Sequence, residues 1–239
     1  MKTVCDYILN IDEQLLLFVN NLHSPPGDIM MHLFSGNLFW LPLYIFLICF
    51  LIKRIGVVKG IIGLVLLTLL IASVDQIGAS VLRPIFCRLR PSSPLNPISQ
   101  VLHFVNDARG GDYGFPSCHA ANTFAVATFL SCLLKSSRMR SLLFSWAVLV
   151  SVSRIYLGFH YPTDILAGAF LGITMGFTFS YIYSLISLFL PKSLSLQKAL
   201  PKAVSLPKSP LKSFKLPSIK FPVIKFPVFS FFRRLDPNP

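Results

Sequence analysis

The sequence predicts an all-α integral membrane protein. The expected fold is a helical bundle of five transmembrane helices, six if the N-terminal segment also crosses. An N-terminal interfacial helix and a disordered basic C-terminal tail flank the bundle. Two observations carry this. Of 239 residues, 54% are hydrophobic and only 13% charged, with mean hydropathy +0.67, whereas a soluble domain carries roughly a quarter charged residues. Five apolar stretches also approach the roughly 20 residues needed to cross a hydrocarbon core about 30 Å thick. No strands are expected, because lipid satisfies no backbone hydrogen bonds and a helix satisfies its own. The length suits one membrane-embedded domain with an appendage.

Residues 1–27 are read as the interfacial segment. Leu15-Leu16-Leu17-Phe18 is too short a run to span, and Ser24-Pro25-Pro26-Gly27 ends it. Asp6, Asp12 and Glu13 interrupt the early apolar residues, so no cleavable signal peptide is expected. The membrane domain, 28–190, holds spans at 29–52, 60–82, 118–134, 141–158 and 165–190. Lys53 and Arg54 close the first, Lys59 precedes the second and Lys135 stops the third. Arg154 sits near one end of the fourth, and the fifth carries no charge at all. The five cysteines are scattered without C-x-x-C spacing, which argues against a disulfide framework or a zinc site.

The tail, 191–239, contains nine of the 18 prolines, which block helix and sheet interiors. Its eight Lys, two Arg and one Asp supply +9 of the formal charge of +13. Lys/Phe alternation there suits contact with an anionic cytoplasmic leaflet, and a solvated spacer is the competing reading. No nucleic-acid partner is expected, and oligomeric state is not readable.

With five spans, Lys53, Arg54 and Lys59, then Lys135, Arg138 and Arg140, then the tail all fall on one side. The positive-inside rule makes that side cytoplasmic, in an inner or plasma membrane. Loops 83–117 and 159–164 then lie outside, on the periplasmic face. Arg83, Arg90, Ser117, His119, Arg154, His160 and Asp164 converge there. Ionisable residues near a bilayer are costly, so such a set is a functional site by default. Arg83, Arg88, Arg90 and Arg109 break the positive-inside pattern, which a phosphate site would explain.

These residue types fit phosphoryl transfer through a covalent histidine, which needs fixed positive donors, an in-line nucleophile and an acid for the leaving group. Arg83, Arg90 and Arg154 supply forked donors matched to phosphate oxygens. Ser117 stands at a helix start after Pro116, where its hydroxyl and the following N–H groups point at an anion. A neutral His160 can attack phosphorus while Asp164, four residues on in a helix begun by Pro162, orients the ring. His119 then protonates the leaving alkoxide and activates water. A metal held by His119, His160 and Asp164 is disfavoured by the surrounding arginines, and no cofactor is expected. A Ser117–His119–Asp164 esterase triad lacks the G-x-S-x-G context.

Three motifs now stand in order: Arg83-x6-Arg90-Pro91, Pro116-Ser117-Cys118-His119 and Ser153-Arg154-x5-His160-x3-Asp164. Together they resemble the type-2 phosphatidic acid phosphatase family, whose pattern is Lys-x6-Arg-Pro, Pro-Ser-Gly-His and Ser-Arg-x5-His-x3-Asp. The resemblance covers 29–190. It implies a metal-independent membrane lipid phosphatase with His160 as nucleophile, His119 as general acid and base, and Asp164 as orienter. Arg83, Arg90, Ser117, Cys118 and Arg154 would hold the phosphate. Two positions depart from the family pattern: Arg83 replaces Lys, and Cys118 replaces Gly. Activity is expected to survive both. The substrate would be a lipid phosphomonoester or pyrophosphate: phosphatidic acid, phosphatidylglycerol phosphate, undecaprenyl pyrophosphate or lipid A. A lipid-to-lipid phosphotransferase and a non-catalytic lipid-phosphate binder are the alternatives.

Other polar residues read as structural. His32 and His103 are expected to pack, and His23 to sit at the interface. Tyr156 and Gly158 read as packing and close-approach positions, and Asp107 and Asp112 as loop residues. Asp75 either lines the site floor, pairs with an arginine or makes a polar contact between helices.

Overall fold

The computed structural model describes residues 4–189. The tail expected over 191–239 lies outside the described residues. Among them the ordered elements are helical, and the strand-like pairing is a single bridge between Leu89 and Tyr113.

Helix α1, Val4–Asn20, turns an unusual stripe inward. Asp12, Leu16 and Asn20, spaced four apart on one face, are fully buried. Tyr7, Ile11 and Phe18 on other faces are exposed. Polar groups inside and apolar groups outside suit a lipid surround. Asn20 repays its burial: its side-chain amide donates to the carbonyls of Tyr156 and His103 at 2.7 and 2.9 Å, and its oxygen accepts from the His103 N–H at 2.8 Å. This ties α1 to residues 83 and 136 positions further along the chain.

Helix α2, Pro25–Ser35, starts where the sequence reading put a stop. Ser24 caps it by accepting from the Gly27 N–H, and Pro25 occupies its first turn, where a missing N–H costs nothing. Expected span 29–52 is therefore two helices rather than one. Gly36 is extended, a 3₁₀ turn covers Leu38–Trp40, and α3 runs Leu41–Ile55. The Trp40 indole N–H donates to the Phe34 carbonyl at 2.8 Å and holds the break.

Gly56, at φ +90°, makes the tight turn into α4, Val57–Asp75. Its axis continues through a π-helical stretch, Gln76–Leu82, into the short α5, Arg83–Phe86. The π stretch re-aims the chain just before Arg83, in the manner of π-bulges at functional sites. After an irregular loop come α6 (Cys118–Leu134), α7 (Ser137–Tyr156) and α8 (Pro162–Leu188).

Among the described residues, three helical stretches are long and apolar enough to cross a membrane: Leu38–Ile55, Val57–Phe86 and Pro162–Leu188. Cys118–Leu134 is a shorter apolar helix. Helix α7, expected as the fourth span, carries Arg138, Arg140, Arg154 and several serines. It packs against α1, α2 and α6, which cover its buried face.

The core joins Leu66, Leu70 and Val74 of α4 to Ala121, Ala125 and Phe129 of α6 and to Leu143, Ala147 and Val150 of α7. Helices α6 and α8 approach closest. A Cβ on Gly168 would lie 2.4 Å from the Ser117 carbonyl oxygen, and one on Gly172 would lie 2.1 Å from that of Ala121. Gly176 meets Thr128 and Ala125 in the same way. Gly168-x3-Gly172-x3-Gly176 thus forms a groove that admits the α6 backbone, the small-residue packing that membrane helices use. Gly172→Ala is expected to force the helices apart, at the overpacking cost of about 1–3 kcal/mol or more. A thermal unfolding midpoint in detergent equal to that of the parent would contradict this.

Candidate active site

The α6–α8 groove fixes which residues meet. Ser117 caps α6, accepting from the Ala120 N–H at 3.4 Å, and its own N–H donates to the Asp164 carbonyl at 3.0 Å. The start of α6 and the start of α8 are thereby joined. Gly158, at φ +72°, turns the chain out of α7, and a Cβ there would lie 3.2 Å from the Phe104 ring. That turn leaves His160 in the short connection between α7 and α8, with Tyr161 capping α8 and Asp164 in its first turn. The Tyr161 N–H donates to Asp164 Oδ2 at 3.0 Å.

His160 is buried between opposite kinds of group. Its Nδ1 stands 3.4 Å from Asp164 Oδ2, and its Nε2 stands 3.5 Å from Arg90 Nη1. A guanidinium can only donate, so the ring nitrogen facing it carries the lone pair and the ring proton belongs on Nδ1, toward the carboxylate. Burial, reinforced by Arg90, Arg154 and Arg83, holds the His160 pKa well below its usual range. The neutral ring therefore presents an unprotonated Nε2 among cations.

Arg90 is anchored by donating from Nε to the Tyr113 carbonyl at 3.0 Å, and its own N–H donates to Asp112 O at 2.7 Å. Glycines make room for it: a Cβ on Gly110 would fall 2.6 Å from its Nη1, and one on Gly114 would fall 2.8 Å from its Cγ. Arg154 donates to Ser35 Oγ and lies over the Phe159 ring at 4.2 Å. Arg83 donates to Cys118 Sγ at 3.1 Å. His119, on the first turn of α6, lies within electrostatic reach of Arg154, His160, Arg90 and Arg83. All eight residues singled out in the sequence are thus held around the junction of α6, α7 and α8.

Buried Nε atoms of Arg83 and Arg154 have no hydrogen-bond partner among the described residues, nor does His160 Nδ1 at strict geometry. The local carboxylate, Asp164, is already engaged elsewhere. The site is rich in donors, poor in acceptors, and so built for an anion. Among the described residues no three His, Cys, Asp or Glu side chains come together as metal ligands.

Sequence reasoning missed what holds Asp164. Arg88 Nη1 donates to Asp164 Oδ1 at 2.7 Å, and its Nη2 donates to Asp12 Oδ2 at 2.5 Å. Asp12 also accepts from the Thr163 N–H at 2.9 Å and from the Thr163 hydroxyl. Asp12 is 1% exposed and Asp164 0%. The spacing of Asp12, Leu16 and Asn20 was the available signal for Asp12, and the misplaced positive charge was the signal for Arg88. Asp75 proves to be a polar contact between helices, accepting from Asn122 Nδ2 at 2.8 Å. His103 is paired with Asp28 at 2.8 Å and stacked on His23. Tyr156 donates to the other oxygen of Asp28.

Comparison with known proteins accords with this geometry. A Lipid A 4'-phosphatase of Bacteroides thetaiotaomicron is 43% identical over 177 residues, 74% of this chain and 79% of that protein. One from Porphyromonas gingivalis is 35% identical over 173 residues, 72% of each. The crystal structure of a transmembrane PAP2 type phosphatidylglycerolphosphate phosphatase from Bacillus subtilis shares the fold, with TM-score 0.59 and 22% identity, over 77% of this chain and 90% of that one. The family model described as the PAP2 superfamily matches residues 59–187, more than half of the chain and all three motifs. This chain belongs to the PAP2 superfamily.

Proposed function

We propose that this protein is a membrane lipid phosphatase that removes the 4'-phosphate of lipid A through a phosphohistidine on His160. The observation that carries the chemistry is the cluster of buried, unpartnered guanidinium N–H groups around a neutral imidazole. The substrate follows the relatives that carry the name Lipid A 4'-phosphatase.

In this reading the phosphate oxygens accept hydrogen bonds from Arg83, Arg90 and Arg154 and from the N–H groups that open α6 beside Ser117. His160 Nε2 attacks phosphorus, the P–O bond to the sugar breaks, and His119 gives its proton to the departing alkoxide. Nδ1–H of His160 leans on Asp164, which stabilises the imidazolium character that develops. His119 then takes a proton from water, the hydroxide attacks phosphorus, and inorganic phosphate leaves with restoration of His160. Arg88 and Asp12 act as positioning residues for Asp164. The pattern of basic connections supports an extracytoplasmic site and a cytoplasmic tail.

The test is a panel of lipid A, phosphatidic acid, phosphatidylglycerol phosphate and undecaprenyl pyrophosphate, each incubated with purified full-length protein. Lipid A is expected to release inorganic phosphate with the highest kcat/KM. Faster release from another lipid overturns the substrate. Phosphate found on an acceptor lipid instead of in solution overturns hydrolysis in favour of transfer.

Arg83 and Cys118, the two departures from the family pattern, touch each other. The larger guanidinium finds a soft acceptor where a glycine would leave none. Arg83→Lys and Cys118→Gly are each expected to lower kcat/KM several-fold. The double variant, which restores the family pairing, is expected to lose less than the sum of the two. Strictly additive losses in a double-mutant cycle would refute the coupling.

A further inference from the structure

The other end of the bundle carries a second charged site. A cleft of about 380 Å³ is lined by Arg54, Lys59, Lys135 and Tyr183, with Cys132 in its wall. The cations come from three separate segments: the last turn of α3, the first turn of α4 and the residue that caps α6. Helix α6 separates this cleft from Ser117 by its 17 residues, a rise of about 25 Å.

A lone cation at a helix C-terminus is explained by the helix dipole. That account fits Arg54 and Lys135 singly, and the positive-inside rule places all three at this end; neither draws them into one cleft. Among the described residues no carboxylate lines the cleft. The side chains of Arg54, Lys59 and Lys135 have, among the described residues, neither an ion-pair nor a hydrogen-bond partner. Arg54 and Lys135 are exposed and Lys59 is half-buried, so water screens their mutual repulsion and a bound anion would relieve what remains. The neighbouring serines of α8 spend their protons within the helix: Ser180, Ser184 and Ser187 donate to the carbonyls of Phe177, Ser180 and Ser184. The donors left for a ligand are the three cations and the Tyr183 hydroxyl.

We propose that this cleft binds the phosphate head group of an anionic phospholipid from the leaflet opposite the catalytic site. The choice of a lipid over free phosphate rests on the apolar surface at the same end of the bundle. Val57, Val58 and Ile61 of α4 and Leu185 and Leu188 of α8 are exposed apolar residues on the same helix ends, where acyl chains would lie. The proposal is independent of the catalytic assignment, since no residue is shared.

The test uses the full-length chain in mild detergent, titrated with cardiolipin and followed by native mass spectrometry. The Arg54→Gln/Lys59→Gln/Lys135→Asn variant is expected to bind cardiolipin about tenfold or more weakly. Arg138→Gln/Arg140→Gln, which removes charge from the same end outside the cleft, is expected to bind as the parent does. Both keep the tail, so the difference reports the cleft. A second measurement needs no variant: cardiolipin is expected to slow maleimide alkylation of Cys132, located by peptide mapping, whereas phosphatidylcholine is not. Unchanged cardiolipin affinity in the triple variant, or unprotected Cys132, overturns the site. Protection by inorganic phosphate equal to that by cardiolipin overturns the lipid as its ligand.

Discussion

His160→Ala is expected to abolish turnover, with a loss of about a thousandfold or more in kcat, while the protein folds. The imidazole is the group on which the proposed intermediate forms, and removal of a covalent nucleophile is the costliest single change to such a site. The arginines would still hold the lipid, so KM is expected to change far less than kcat. Rapid quenching of the parent with phosphate-labelled lipid A should trap label on the protein, and the variant should trap none. Label retained by His160→Ala would move the nucleophile elsewhere. A variant that binds lipid but matches the parent's cellular function would make the protein a binder rather than an enzyme.

Asp12→Ala is the second large effect, and it acts outside the three motifs. Asp12 and Asp164 grip one guanidinium from opposite sides, and Asp12 also holds Thr163 in the first turn of α8. Removing the sole partner of a buried ion pair costs about 3–5 kcal/mol; Arg88 keeps Asp164 as a partner, so the cost here is expected to be smaller. Both the unfolding midpoint and kcat are expected to fall, as α1 loosens and Asp164 loses its outer support. Asp12→Asn separates the two roles. Its amide oxygen can still accept from the Thr163 N–H, so α1 should stay docked while Arg88 loses one of its two carboxylates and keeps Asp164. A fall in kcat at an unchanged midpoint in that variant would mark Asp12 as a positioning residue. Full activity would make the contact purely structural.

The candidate site was legible where chemistry is written at short range. His160-x3-Asp164 reads as one turn of helix, and it is met by Pro162 and a capped start at Tyr161. Ser117 after Pro116 reads as a helix cap and is one. Local signals misled where two rules shared the same residues. Ser24-Pro25-Pro26 can end one segment or begin another, and a capping hydroxyl with proline in the first turn decided for a beginning. Gly36 and Asn37 lay inside an apolar run whose hydropathy concealed the break.

The sequence by itself determined the membrane class, the three motifs and the residue types of a phosphate site, because composition, helix caps and i, i+4 spacing depend only on neighbours along the chain. Tertiary structure decided the rest. Asp12 reaches Arg88 across 76 positions, Arg83 reaches Cys118 across 35, and Arg154 reaches Ser35 across 119. Nothing local links those pairs. They meet because three glycines let α8 lie against the α6 backbone and because α1 turns its polar stripe inward. In a lipid surround, a buried charge must find its partner inside the bundle. Packing, not local sequence, selects which partner that is.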